Sequence, residues 1–351
     1  MRVLYFGTYE RDYPRNAQVI SCLRGAGAEV VERHVPVWEG RHNWAAGART
    51  AARLAAAETR LLARPAERFD AVIVGYPGHF DLLAARRAAR GARLVFNPLV
   101  SLHETLVEDR RRFAPGSPAA RALARLDRFA LRRADVVVAD TGQNAHYLAE
   151  LAGLPRGRLA VCFVGAEERL FRPGWQRRDD FHVLFVGKLI PLHGLETILA
   201  AAQIAPEVPF RIVGTGQLAV LLRNRPANVE WTDWVEYQHL PQELHRAGCA
   251  LGVFGTSAKA GRVIPNKAFQ ALACGTPLIT ADTAAARELL HDDKDALLVP
   301  AGDPAALAAA VRRLATNAEL AQRLGAGGLR TYTERASERV LGEQWLELVK
   351  R

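Results

Sequence analysis

Apolar and polar positions follow two rhythms that succeed one another along the chain. Short apolar runs of strand length, rich in β-branched residues, lie at 2–6, 30–34, 71–75, 93–97, 136–140 and 159–164, and again at 182–186, 210–213, 229–232, 250–254, 278–280 and 296–299. Between them come stretches with helical spacing: 17–25, 45–62, 82–90, 119–133 and 144–152 in the first half, and 195–204, 218–223, 241–247, 267–273 and 284–290 in the second. Helices are also expected over 304–314 and 318–324; Gly325, Gly327 and Gly328 follow, then an amphipathic helix over 336–349. Such alternation predicts parallel sheets with helices on both faces.

The scheme runs through twice, and 351 residues exceed one typical core. Two doubly wound α/β domains are therefore expected, over 1–172 and 173–330, with 331–351 returning as a helix to the first. The junction falls in Glu168–Asp180, which is rich in charge and holds Pro173 and Gly174. Open α/β sheets bind ligands at the carboxyl ends of their strands, so the loops that follow strands are the places to look for chemistry.

Composition narrows the class. Hydrophobic residues make up 49% and charged residues 24%, as in soluble globular proteins, and no run approaches the roughly 18–20 apolar residues that span a bilayer. No secretory leader is recognisable after MRVLYFGTYE. Cys22, Cys162, Cys249 and Cys274 form no C-x-x-C pair and sit in apolar segments, as expected of free thiols in a cytoplasmic protein. The net charge of +10 is uneven: residues 1–172 hold 27 Arg and no Lys against 18 acids, a surplus of 9, whereas 173–351 hold 20 basic residues against 19 acids. Arg110, Arg111, Arg112, Arg121, Arg125, Arg128, Arg132 and Arg133 carry much of that surplus. Nucleic acid, an anionic membrane surface or an acidic small molecule would each answer such a field. A nucleic-acid partner is not expected, because no aromatic-interleaved basic stripe or nucleic-acid motif accompanies the charge.

Three loops of the second half carry candidate chemistry. In RVIPNKAFQALACGTPLIT, Pro265 suits a first helical turn, Gly275 and Pro277 end the helix, and Lys267 places a cation where backbone N–H groups already lack partners. That conflict costs about 0.3–1 kcal/mol, and a bound phosphate removes it. Gln270, one turn on, shares the face of Lys267 and can bond hydroxyls. In VGKLIPLHG, Gly187 permits close backbone approach, Lys188 brings a point charge, His193 a further donor, and Gly194 opens the next helix. Gly214 and Gly216 in GTGQLA form a tight turn whose G-x-G-x-x-A match comes too late in the chain for a dinucleotide fingerprint. In the first half the strand-end loops hold Gly7 and Tyr9, then Gly78, His79 and Asp81, then His103 and Glu104. No zinc spacing, H-E-x-x-H or G-x-S-x-G occurs, so metal and serine hydrolase readings lack support.

The three second-half loops, in this order, resemble glycosyltransferase family 4. FVGKLIPLHG is similar to the family's strand ending in V-G-R/K, IVGTGQ to its V-G-x-G turn, and VIPNKAFQALACGTP to its helix entry before A-x-G-x-P. WTDWVEYQHL is similar to its base-binding loop, which brings in Trp234 and Val235, and VCFVGAEERLFRP to its interdomain segment. The resemblance implies an α/β GT-B architecture: two doubly wound Rossmann-like domains facing a central cleft, the second binding the donor and the first the acceptor. It implies a retaining, metal-independent transferase of the hexosyl type, with a UDP- or GDP-sugar as substrate and no cofactor. Lys188, Lys267 and His103 become the catalytic candidates. Gly187, His193, Gly214, Gly216, Trp234, Val235, Arg262, Val263, Ile264 and Gln270 become donor contacts; Gly7, Tyr9, Gly78, His79, Asp81 and Glu104 become acceptor-side residues. The acceptor would be a glycan, a lipid-linked sugar or a small molecule. Two acidic residues eight apart are usual around the helix entry, and here Arg262 and Gln270 stand in those places. A non-catalytic nucleotide-sugar-binding subunit, a basic nucleic-acid-binding protein and an NAD-dependent enzyme are the alternatives, separable by whether UDP, GDP or NADH stabilises the fold and by a filter-binding titration with nucleic acid across salt.

Overall fold

In the first half of the chain the apolar runs form six strands and the helical stretches pack between them. A computed structural model describes residues 1–38, 48–63, 67–177 and 179–350. The elements are β1 (Arg2–Gly7), α1 (Pro14–Gly25), β2 (Glu29–His34), α2 (Ala48–Leu61), β3 (Ala71–Val74), α3 (Leu82–Ala89), β4 (Arg93–Phe96), α4 (Pro118–Arg133), β5 (Val136–Ala139), α5 (Gly142–Ala152) and β6 (Leu159–Val161). The strands pair in parallel in the order β2-β1-β3-β4-β5-β6. β3 and β5 are buried at every position, which explains their unbroken apolar sequences. Residues 45–47 of the expected second helix lie outside the described residues.

The second half repeats the architecture with β7 (Val183–Val186), α6 (Leu195–Ile204), β8 (Phe210–Val213), β9 (Val229–Thr232), α7 (Leu240–Arg246), β10 (Cys249–Leu251), α8 (Asn266–Cys274), β11 (Leu278–Ala281), β12 (Leu297–Val299), α9 (Pro304–Thr316) and α10 (Ala318–Arg335). Its parallel order is β12-β11-β10-β7-β8-β9. The chain runs outward from β7 through β8 to β9, then returns to place β10 on the other side of β7. The topological switch point therefore lies at the carboxyl ends of β7 and β10, the usual ligand crevice of such a sheet. Two stretches expected as helices are short 3-10 turns, Ala219–Asn224 and Ala286–Glu288.

The glycines expected to follow a helix instead lie inside α10. Added Cβ atoms at Gly325 and Gly327 would overlap the carbonyls of Gly275 and Lys294, and one at Gly328 would lie 2.7 Å from the Leu272 side chain. Close backbone packing, and not helix termination, accounts for all three.

The chain divides into Met1–Phe163 with Glu338–Arg351, and Val164–Ser337. The division falls before the Glu168–Asp180 stretch because residues 164–171 already belong to the second unit's packing: Phe171 is buried with its ring 5.5 Å from Tyr237, and the Tyr332 hydroxyl donates to the Ala166 carbonyl. The last helix, α11 (Glu338–Lys350), buries Leu341, Trp345 and Val349 against Val19, Cys22 and Leu23 of α1. Among the described residues no helix is long and apolar enough to cross a membrane.

Candidate functional site

At the switch point of the second unit, glycines let three strand-end loops interlock. Gly187, after β7, has φ 147°, and a Cβ on Gly214, after β8, would overlap its carbonyl. A Cβ on Gly216 would lie 2.7 Å from the Leu189 carbonyl, and one on Gly194 would lie 2.6 Å from the backbone of Phe254, after β10. The stack is tied by Gly187 N–H to Val213 O and Leu189 N–H to Thr215 O, each at 2.9 Å, and by Phe254 N–H to His193 O at 3.1 Å. Trp231, which the sequence patterns did not single out, donates from Nε1 to the Gly214 carbonyl at 2.9 Å and holds the turn in place.

Lys267 enters this stack from the first turn of α8. The helix follows Pro265, has no side-chain cap and no acid in its first turn. The lysine stem is half-buried, but Nζ is enclosed, has no hydrogen-bond partner among the described residues, and sits 3.7 Å from the centroid of the Phe185 ring. A Cβ on Gly187 would lie 2.8 Å from that Nζ and 3.4 Å from His193 Cε1, so glycine at 187 is what leaves room for both. Burial holds the Lys267 amine well below its ordinary value, and no carboxylate among the described residues offsets it. Cation–π attraction to Phe185 is worth roughly 0.5–2 kcal/mol, less than the cost of burying an unpaired ammonium.

His193 is buried, its Nδ1 bonded to the Lys188 carbonyl. Lys188 itself points to solvent, so the two lysines joined by sequence reasoning occupy opposite environments. Gln270 is buried and donates from Nε2 to the Tyr237 hydroxyl at 3.4 Å. Burial raises the Tyr237 pKa. This tyrosine was missed by sequence reasoning, and its aromatic place just after Trp234 and Val235 was the available signal. Lys267 and Gln270 line one small cavity with Leu184, Val186, Leu240 and Leu251. Trp234 is exposed and donates to Glu236 at 3.1 Å, while Val235 is half-buried. Arg262 closes a 3-10 turn, Val263 is extended and Ile264 is buried, which delivers the chain to α8.

The first unit's candidates have a different fate. Tyr9 is buried, its hydroxyl donates to Glu32 at 2.9 Å, and burial raises its pKa. Asp81 is fully buried and accepts from Thr8 N–H at 2.7 Å and Thr8 Oγ1 at 3.0 Å, across the space a side chain at Gly7 would fill. Burial raises its pKa. His79 is buried between the Pro77 carbonyl at Nδ1 and Asp127 Oδ1, 3.3 Å from Nε2; burial lowers its pKa, opposed by Asp127. Gly78, with φ 46°, fits its loop against the Gly75 carbonyl. Glu104 is buried, whereas His103 keeps a partly exposed ring 3.5 Å from Glu108.

Both halves match described families: residues 2–165 match "Glycosyl transferase 4-like domain" and residues 180–317 match "Glycosyl transferases group 1". The D-inositol 3-phosphate glycosyltransferase of Thermomonospora curvata is 29% identical over 297 residues, which cover 72% of this chain and 68% of that protein. Among solved structures, sucrose-phosphate synthase from Thermosynechococcus elongatus superposes with a TM-score of 0.75 at 16% identity, covering 99% of this chain and 97% of that one. Anabaena HepE in complex with UDP-glucose gives a TM-score of 0.71 at 14% identity and covers 99% of each chain. Both superpositions establish the shared fold.

Proposed function

We propose, since this chain belongs to glycosyltransferase family 4 and is a glycosyltransferase with the GT-B fold, that it moves a hexosyl group from a UDP- or GDP-sugar to an acceptor with retention and without a metal ion or cofactor. The observation that carries the donor assignment is the enclosed Lys267 Nζ, without a hydrogen-bond acceptor among the described residues, at a helix entry with no side-chain cap beside Gly187. A diphosphate placed there would supply an acceptor for Nζ at the N-terminus of α8, where the helix dipole favours an anion. When the glycosidic bond breaks, negative charge grows on the diphosphate, and fixed donors stabilise it more than they stabilise the intact donor. Lys188, on an exposed stem, would close over the same phosphates. Gln270 would bond ribose or sugar hydroxyls in place of the usual carboxylate, and His103 would serve the reacting sugar from the first unit.

Thermal-shift screening against UDP, GDP, ADP, TDP and NADH tests the donor class. UDP or GDP should raise the Tm of the wild type and not of Lys267→Ala. Stabilisation by NADH alone would sink the reading. Turnover of the matching nucleotide sugar then separates an enzyme from a non-catalytic binding subunit.

The acceptor is a glycan, a lipid-linked sugar or a small anionic molecule bound by the basic first unit, acting in the cytoplasm or peripherally on an anionic membrane face. On α4, Arg121, Arg125, Arg128 and Arg132 are exposed beside Phe129, which is 39% exposed. Arg128 and Arg132 donate to the carbonyls of Leu151 and Ala152, neutral partners that leave their charge uncompensated. Near an anionic leaflet each such residue contributes about 1 kcal/mol. Co-sedimentation with anionic but not neutral liposomes, weakened by salt, is the expected outcome; indifference to anionic liposomes at low salt removes the membrane and leaves soluble acceptors.

A further inference from the structure

The carboxylate of Asp127, on the inward face of α4, lies at the centre of the loop that carries His103. Oδ2 accepts from Ser101 Oγ at 2.6 Å and from His103 N–H at 2.9 Å, while Oδ1 accepts from Leu102 N–H at 3.0 Å. His79 Nε2 stands 3.3 Å from Oδ1. Asp127 is fully buried. Around it the chain closes a second ring of bonds: Glu104 N–H donates to Ser101 Oγ at 3.1 Å, and Thr105 donates to the Ser101 carbonyl from both its N–H, at 3.1 Å, and its hydroxyl, at 2.7 Å. Two successive backbone N–H groups turned onto one anion fix the backbone conformation at Leu102 and His103. The His103 ring is thereby left partly exposed at a set position, while everything behind it is buried.

A buried carboxylate costs several kcal/mol unless it is fully bonded, so the loop could be closed more cheaply by a neutral or apolar residue. Here three donors, from Ser101, Leu102 and His103, converge on one carboxylate and fix the loop that carries His103. His79, read from the sequence as an acceptor contact, donates from Nδ1 to the Pro77 carbonyl and packs its other nitrogen 3.3 Å from Oδ1, which brings the β3 loop against the β4 loop at the same carboxylate.

We propose that Asp127 is a positioning residue for glycosyl transfer, acting through the backbone of His103. The inference rests on the reading that His103 serves the reacting sugar. Misplacing a reacting group by about 1 Å costs on the order of a hundredfold in rate. Asp127→Asn replaces one oxygen by a donor that opposes Leu102 N–H or the Ser101 hydroxyl.

The test is a double-mutant cycle of Asp127→Asn and His103→Ala, read as UDP release from UDP-glucose, with UDP-induced thermal shift as a check on the second unit. Each single variant should lower kcat by about ten- to a hundredfold, leaving the donor KM and the UDP shift unchanged, and the double variant should fall within about twofold of His103→Ala. Hydrogen exchange should quicken at residues 101–105 in Asp127→Asn. Ser101→Ala, which removes one donor and keeps the carboxylate, should give the same pattern more weakly and serves if Asp127→Asn does not fold. Effects that multiply in the double variant, or a wild-type kcat in Asp127→Asn or Ser101→Ala beside an impaired His103→Ala, would overturn the proposal. Wild-type kcat in His103→Ala would instead remove the role of His103 on which it rests.

Discussion

The two sheets are built alike, yet their strand ends are finished in opposite ways. In the first unit, three buried ionisable side chains behind the strand ends are taken up by the chain itself: Asp81 by Thr8, Asp127 by the 101–103 loop, and Arg15 by Asn97 and the carbonyls of Cys162 and Phe163. In the second, Lys267 Nζ is enclosed with no hydrogen-bond acceptor among the described residues. A satisfied buried charge organises loops, whereas an unsatisfied one weakens the free protein and gains from a ligand that completes it. The residue type alone does not distinguish the two; the partners do.

The comparison breaks first if both charges behave alike on removal. Arg15 is 1% exposed, bonds Asn97 at 3.1 Å and the carbonyls of Phe163 and Cys162 at 2.6 and 3.0 Å, and lies 5.5 Å from the Trp345 ring centroid. Arg15→Met strands these acceptors and should cost about 3–5 kcal/mol, measured by urea unfolding of the full chain. A change within about 0.5 kcal/mol of wild type would show that the buried charge of Arg15 is not structural.

Lys267→Met should move stability the other way. Removing an enclosed, unpartnered amine should stabilise the free protein by about 1 kcal/mol, or roughly 2–4 °C in Tm. Transfer should meanwhile fall a hundredfold or more, the usual cost of one fixed donor of about 2.7–4 kcal/mol in the barrier. A lower Tm with unchanged turnover would reverse the assignment.

The same contrast can be sharpened with pH. The Lys267 amine is depressed in the folded free protein from an ordinary 10.5, so between the folded value and 10.5 the unfolded chain binds the extra proton and stability rises with pH. A bound diphosphate raises the amine's pKa again. Nucleotide binding must then take up a proton, and affinity must fall as pH rises through the window between the free and bound values. Calorimetry of UDP binding in two buffers of different ionisation enthalpy measures this uptake. It should vanish in Lys267→Met, and its persistence there would place the proton on another group.

Much of this was legible in the sequence because it depends on local pattern. The strands follow from short β-branched runs, and Gly187, Gly214 and Lys267 stood out because each breaks a rule of its own element. What could not be read were long-range partners. Tyr9, His79 and Asp81 sit at strand ends, as a binding residue would, and only the separate segments holding Glu32, Asp127 and Thr8 show that their polar atoms are taken up internally. Gly325, Gly327 and Gly328 read as a helix end until the backbones they pack against are known. Asp127 was invisible for the same reason: an acid amid arginines on a helix looks solvated until the loop it anchors arrives from 24 to 26 residues earlier in the chain.

The smallest expected effect concerns Gln270, which stands where the family usually has a carboxylate. Its amide donates to Tyr237 at 3.4 Å, a long bond that a ligand hydroxyl could replace without much loss. A neutral hydrogen bond contributes about 0.5–1.5 kcal/mol, so Gln270→Ala should weaken donor binding roughly two- to tenfold and leave UDP itself bound more nearly as in the wild type if the contact is to the sugar. Gln270→Glu restores the family's charge. Should it raise turnover, the neutral amide is a loss tolerated elsewhere in the site. Should it lower turnover, the second unit has been tuned to a donor whose hydroxyls need an N–H at this position, and the pairing with Tyr237 is part of its selectivity. A structure with the nucleotide sugar bound and Gln270 turned from every hydroxyl would refute both.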